Sequence, residues 1–270
     1  NGANLSVDNY NNLLIGWARK AVRTGRNFNA GNSMYSAIAS SAKNTLTNTY
    51  GWTITDGGLI DDDAMVLIFD TNLSAGTTIA LPLQGAVDVT VSWGDSNIDN
   101  FNTAGNKTHT YDADGVYTVI ITGSLTQFGS SSGYDSNKLT RVTNWGNLGL
   151  TSLSGAFIFA SNLTNVPNSL PSGITNTSYM FNDCYKFNAN ISNWDVSSVT
   201  DMYAMFENAT SFNQDISYWN VSSVTDMSGM FWNATSFDQN ISAWNISNVT
   251  TMNGMFGGVT LSTANYDDIL

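Results

Sequence analysis

Charge is scarce in this sequence. Lys, Arg, Asp and Glu make up 11% of its 270 residues, against roughly 25% in an ordinary soluble domain. The charge present is mostly acidic: nine basic and 21 acidic side chains, net −12. A nucleic-acid binder needs a basic stripe to neutralise phosphates, and this chain has none. Anionic membrane surfaces are disfavoured for the same reason. There is one cysteine, Cys184, and one histidine, His109. A lone cysteine excludes an intrachain disulfide framework and a cysteine-based zinc site. The two residues allow a Cys–His dyad on composition alone, but two unrelated packed side chains is the preferred reading. No run of about 18 apolar residues exists, so no helix can span a bilayer. No signal peptide opens the chain, which reads as trimmed. Glu207 is the single glutamate, so a glycosidase-type carboxylate pair would have to use aspartates. Those aspartates recur with a sequence repeat, as loop residues do. No enzyme is expected.

Apolar residues are not scarce. At 42% hydrophobic and 12% aromatic, the chain can bury a real core. Its charge is uneven. Residues 1–60 hold Arg19, Lys20, Arg23, Arg26 and Lys43 against Asp8 and Asp56, a net +3. The remainder has four basic and 19 acidic residues, a net −15, with no Lys or Arg after Lys186.

Self-similarity decides the architecture. Trp194, Trp219 and Trp244 lie 25 residues apart, as do Phe187, Phe212 and Phe237. The pairs Met205-Phe206, Met230-Phe231 and Met255-Phe256 share that spacing, and Met180-Phe181 precedes them by one period. Trp145 and Phe157 keep the 12-residue interval of Trp194 and Phe206. About five units run from roughly 140 to 262. Within a unit, Val199-Thr200-Asp201-Met202 alternates as a short strand does, and Met202, Met205 and Phe206 then follow the spacing of a helical turn. No unit can bury this face alone, so stacking into a solenoid is expected. Asn-x-Ser/Thr sequons such as Asn208-Ala209-Thr210 recur with the period and read as repeat chemistry.

The run Asn193-Trp194-Asp195-Val196-Ser197-Ser198-Val199-Thr200-Asp201-Met202, with its two sister copies, resembles the BspA-type leucine-rich-repeat family of bacterial surface proteins. The resemblance implies an extracellular or cell-surface scaffold and no particular ligand. Upstream, Val89, Val91 and Trp93 alternate with polar residues, as do Tyr117, Val119 and Ile121. Turn signals at Gly94-Asp95, Asp114-Gly115 and Gly123 point to a small β-sandwich. Trp93-Gly94-Asp95, Thr108-His109-Thr110-Tyr111 and Gly115-Val116-Tyr117-Thr118-Val119 resemble a PKD domain, an immunoglobulin-like module of extracellular proteins. That resemblance implies a structural role for His109.

Residues 1–60 read as two helices and a strand. Tyr10, Leu13, Leu14, Trp17, Ala18, Ala21 and Val22 follow helical spacing, with Ser6 or Asp8 as cap and Gly25 as stop. A second helix starts at Ser33 and runs through Leu46, and Trp52-Thr53-Ile54-Thr55 is the strand. The two ends match: Gly2–Leu14 aligns with Gly258–Leu270, with six of 13 positions identical at an offset of 256.

The expected fold is therefore mixed α+β and multi-domain. A helical cap segment covers 1–60, a PKD-like sandwich 61–128, and a leucine-rich-repeat-type solenoid 129–270, open at its C-terminal end. The matching ends suggest one period of a longer tandem array, in which the cap of one copy covers the solenoid end of the next. The assembly residues would be Leu13, Leu14, Trp17, Met255, Phe256, Leu261 and Tyr266. The expected function is a structural or adhesive repeat unit of a bacterial cell-surface protein or filament, with further copies as partners. The alternative is a glycan- or protein-binding module of an adhesin, with Trp194, Trp219 and Trp244 stacking on sugars if exposed. No cofactor is expected. Calcium is a weak candidate at Asp61, Asp62 and Asp63 and at Asp112 and Asp114, because clustered carboxylates suit a hard cation.

Overall fold

The structure, a computed structural model, describes residues 5, 7–59 and 62–269. The chain divides into two compact units, Asn1–Ala64 and Met65–Leu270.

In the first unit, helix α1 (Val7–Ala18) is followed by β1 (Asn27–Asn29), β2 (Met34–Tyr35) and α2 (Ala37–Asn44). A π turn (Thr45–Thr49), β3 (Thr53–Thr55) and β4 (Gly58–Leu59) complete it. Two small parallel ladders, β1 with β3 and β2 with β4, tie the loops together. The apolar stripe of α1 delivers Tyr10 and Leu14 into a core shared with Ala30, Ala39 and Leu46. Trp17 packs edge-on to Phe28 at 5.0 Å and lies 5.6 Å from Trp52. Tyr10 Oη and Lys43 Nζ both reach the Asp56 carboxylate, at 2.6 and 2.8 Å. The first helix ends at Ala18, short of the expected Ala21 and Val22, closing with Arg19 N–H to Ile15 C=O and Lys20 N–H to Trp17 C=O. The second starts at Ala37, after Ser36, and passes into the π turn.

The second unit contains β5 (Met65–Asp70), β6 (Thr78–Ser92), β7 (Ile98–Phe101), β8 (Gly105–Thr110), β9 (Val116–Phe128) and β10 (Leu139–Trp145). They form one antiparallel sheet of order β10-β5-β9-β6-β7, with β8 also on β6. The expected two-sheet sandwich is corrected here, and the reason is strand length. Strands β6 and β9, of 15 and 13 residues, pair with each other from Leu83–Phe128 to Ser92–Ile120. That pairing joins what a sandwich would split into two sheets. A register shift between Gln84 and Val87, with Gly85 at φ +68°, bends the pair; a side chain at Gly85 would run into Thr126 Oγ1 at 2.3 Å.

The expected leucine-rich-repeat solenoid is also corrected. The regular structure is mostly β, with few helices, and the repeat segment forms neither a multi-residue strand nor a helical turn. It folds as successive layers of turns joined by single parallel bridges, Ser152–Asn176, Asn176–Asp201, Asp201–Asp226 and Asp226–Thr251. The backbone explains the missing helical turn. Met202, Ala204, Phe206 and Asn208 donate their N–H groups to Asp226, Ser228, Met230 and Trp232 in the next layer, at 2.7–3.0 Å. Met205, Glu207 and Ala209 donate back to Met202, Ala204 and Phe206. Alternate donors thus leave the layer, whereas a helix keeps them all in the segment. Ala204 and Asn208 sit at φ +50° and +58°, in the left-handed region that a right-handed helix excludes.

Between layers the aromatic rings repeat in register. Phe181, Phe206, Phe231 and Phe256 stack at 5.5, 5.7 and 5.8 Å. Phe187, Phe212 and Phe237 stack at 6.0 Å per step. The sheet and the layers share one core, in which Leu125 and Phe128 of β9 join Leu148, Leu150, Leu153 and Phe157.

Candidate functional site

Each interior layer is sealed by the next, and among the described residues no further layer follows the one at Trp244–Phe256. Met202 and Met227 are fully buried, whereas Met252, one period on, is 41% exposed. Val196 and Val221 are buried, and their counterpart Ile246 is 48% exposed. The terminal face gathers Trp244, Ile246, Met252, Met255 and Phe256 around a cavity of about 100 Å³. Apolar surface of this kind is costly to leave in water.

Helix α3 (Thr263–Ile269) follows this face. Asp238 anchors it, accepting from Ser262 N–H, Ser262 Oγ and Asn265 Nδ2 at 2.8–3.0 Å. The Ser262 and Asn265 bonds hold the Asp238 carboxyl below the usual carboxylate range. Asp267 and Asp268 are exposed on the helix, and Asp268 accepts from Asn240 Nδ2 at 2.7 Å. Of the expected assembly residues, Met255 is buried, Phe256 and Leu261 are half-buried, and Tyr266 is 54% exposed.

Leu14 lies inside the first unit, a correction to its placing on an assembly surface, while Leu13 and Trp17 are half-buried. Leu14 is fully buried, with Leu13 and Trp17 packed against the same core. That core needs them, because α1 supplies its longest apolar stripe. The exposed side of this unit instead carries Arg19, Lys20, Arg23 and Arg26. The matching ends of the sequence begin helices at equivalent positions: Val7 starts α1 and Thr263 starts α3, 256 residues apart. Their tyrosines differ, since Tyr10 is fully buried and Tyr266 is not.

The tryptophan ladder does not present rings to solvent. Trp194, Trp219 and Trp244 are 3%, 3% and 7% exposed. They stack on one another at 6.4 and 6.5 Å, and their Nε1–H groups donate to the carbonyls of Pro167, Ile191 and Ile216. Sugar stacking needs an open ring face, and at 3–7% exposure none of the three rings offers one.

Of the calcium candidates, Asp61 lies outside the described residues, Asp62 and Asp63 follow it on an exposed turn, and Asp112 and Asp114 are exposed in the turn before β9. Among the described residues no three His, Cys, Asp or Glu side chains are grouped to hold a metal. His109 and Cys184 are each otherwise engaged. His109 Nε2 lies 2.7 Å from Asp95 Oδ2, and its ring stacks on Trp93 at 4.8 Å. Partial burial of Asp95 opposes ionisation, but bonds from His109 and Asn97 outweigh it and hold the carboxyl below its usual range. Cys184 is fully buried, with Sγ 3.0 Å from Phe157 C=O. Burial pushes its thiol well above the ordinary range, the opposite of what a nucleophile needs.

Sequence reasoning missed Ile246 and Met252. Their repeat register was readable, but which unit lacked a cover was not. It also missed Tyr218, 87% exposed, whose signal is a break in the period: its counterparts are Asn193 and Ala243. No curated protein and no solved structure matches the chain. Residues 151–268, which span the layered segment, are similar to a family described as "Mycoplasma protein of unknown function, DUF285".

Proposed function

We propose that this chain is a structural or adhesive unit of a bacterial cell-surface assembly and associates end to end with further copies. The observation that carries the reading is the unsealed last layer. Residues buried in the two preceding layers, at the positions of Met252 and Ile246, stand open there. Apolar area left open in this way is recovered when a partner covers it, at roughly 25 cal/mol per Å². Charge favours the first unit of another copy as the cover. The side chains of Arg19, Lys20, Arg23 and Arg26 are exposed on that unit, and Asp267 and Asp268 are exposed beside the last layer. A head-to-tail contact of this kind is heterologous and propagates into a filament unless its rotation closes a ring.

The test is sedimentation velocity and negative-stain electron microscopy of the full chain, up to about 0.1 mM, where even a weak specific contact registers. Concentration-dependent association is expected, abolished by Met252→Glu and weakened by added salt. Monomers throughout, or association indifferent to Met252→Glu, would overturn the reading.

A further inference from the structure

A second surface lies on the side of the layers and meets the apolar end at Ser242. Tyr218 projects from its layer, 87% exposed. The same position one layer back is Asn193 and one layer on is Ala243. Both are shorter, so the phenol stands between two clefts. One, of about 370 Å³, runs from Asn190 and Asn193 to Asp215 and Tyr218. The other, of about 380 Å³, runs from Asp215 and Tyr218 to Asn240 and Ala243. Tyr218 and Asp215 form their shared wall.

The polar groups of these clefts are held in place before any ligand arrives. Asn190, Asp215 and Asn240 each accept the N–H two residues on, from Ser192, Ser217 and Ser242, at 2.9–3.0 Å. The two glutamines on the cleft walls are also fixed. Gln214 Nε2 donates to Asn188 and Gln239 Nε2 to Asn213, both at 2.8 Å. Side chains locked by turns lose little entropy on binding. The tyrosine, by contrast, is exposed and stacks on no ring among the described residues.

An open aromatic face flanked by fixed amides, serine hydroxyls and a carboxylate matches the chemistry of a sugar. The C–H face of a pyranose packs on the ring, and its hydroxyls bond to the polar walls. The charge narrows the class further. No Lys or Arg follows Lys186, and Asp215 lies in both clefts. Uronic and sialic acids would meet like charge without a cation. We propose that the Tyr218 surface binds a neutral oligosaccharide chain, with sugar units on both sides of the ring. This site borders the apolar end face at Ser242 but does not rest on the assembly reading.

The test is isothermal titration calorimetry of the full chain with cello-, manno-, xylo- and chitohexaose, and with hexagalacturonate as the anionic control. At least one neutral hexasaccharide should bind saturably. Tyr218→Ala should weaken it about tenfold or more, and Tyr218→Phe, which keeps the ring face, by no more than about threefold. Circular dichroism of each variant should match the parent, because the side chain is exposed. The proposal is overturned if no neutral hexasaccharide binds more tightly than about 10 mM, if Tyr218→Ala leaves binding unchanged, or if hexagalacturonate binds as well as the neutral probes. Sedimentation of Tyr218→Ala should match the parent, so failure here and failure of end-to-end association are read separately.

Discussion

Phe206 and Phe256 occupy the same repeat position but differ in cover, and truncating each measures what the layers contribute. Phe206 is fully buried. Its ring lies 4.0 Å from Phe212, 5.5 Å from Phe181, 5.7 Å from Phe231 and 6.3 Å from Trp219. Phe206→Ala removes these contacts at once. The hole cannot collapse, because backbone bonds on both sides hold the layer spacing: Phe181 N–H donates to Met205 C=O, and Phe206 N–H to Met230 C=O. The expected loss is therefore toward the upper end for this substitution, about 4 kcal/mol. In a unit of this size that lowers Tm by about 10 °C. Phe256 is half-buried, with one ring partner, Phe231, at 5.8 Å. Phe256→Ala should cost about 1 kcal/mol, because much of its area is already in water. Thermal and urea unfolding followed by tryptophan fluorescence provide the comparison, with Phe206→Leu as a volume-conserving control costing about 1 kcal/mol. Equal losses at the two sites, or a loss below about 2 kcal/mol at Phe206, would refute the view that the layers are one continuous packed core.

Three further outcomes follow from local geometry. Ala204 and Gly229 share a repeat position at φ +50° and +64°, and an added Cβ at Gly229 meets nothing closer than 4.0 Å. Ala204→Gly should therefore stabilise and Gly229→Ala destabilise, each by about 1 kcal/mol from backbone strain alone, as read from urea midpoints. Hydrogen bonds from Ser197 and Ser217 hold the carboxyls of Asp195 and Asp215 below their usual range. Partial burial opposes ionisation of Asp226, but bonds from Ser228 and Thr251 prevail. A depressed carboxylate stabilises above its unfolded pKa, about 3.9, and that contribution disappears as pH falls through the lower folded value. Tm should hold down to about pH 4 and fall below it. Asp195→Asn, Asp215→Asn and Asp226→Asn together should blunt the fall, since Asn190 and Asn240 already make the same turn; an unchanged acid profile would refute this. Glu207 has the opposite sign: burial first, then the Asp183 carboxylate, raises its pKa against the Asn182 amide. It destabilises once ionised, so Glu207→Gln should stabilise at neutral pH, by less than about 1 kcal/mol given its partial exposure, and have no effect at pH 3.

The period of 25 residues by itself determined which side chains lie on top of which. Large apolar residues at a fixed interval can be buried only if their units sit side by side, so Phe187, Phe212 and Phe237 stack as their spacing requires. The helical stripe of α1 and the strand alternation around Val89 and Val91 were legible in the same way. The shape of each layer was not. Met202, Met205 and Phe206 have helical spacing, yet two of their three backbone donors bond to the next layer, and that competition exists only once two layers meet. Nor could alternation say whether β6 and β9 belonged to two sheets or one, because it reports a buried face and not a strand's partner. The two proposed surfaces belong to the tertiary level too. Met252 and Tyr218 are ordinary members of a repeat as letters; exposure distinguishes them, and exposure is set by neighbours. Leu14 shows the converse, since the same apolar stripe serves an interface or a core, and the fold of its own unit buries it.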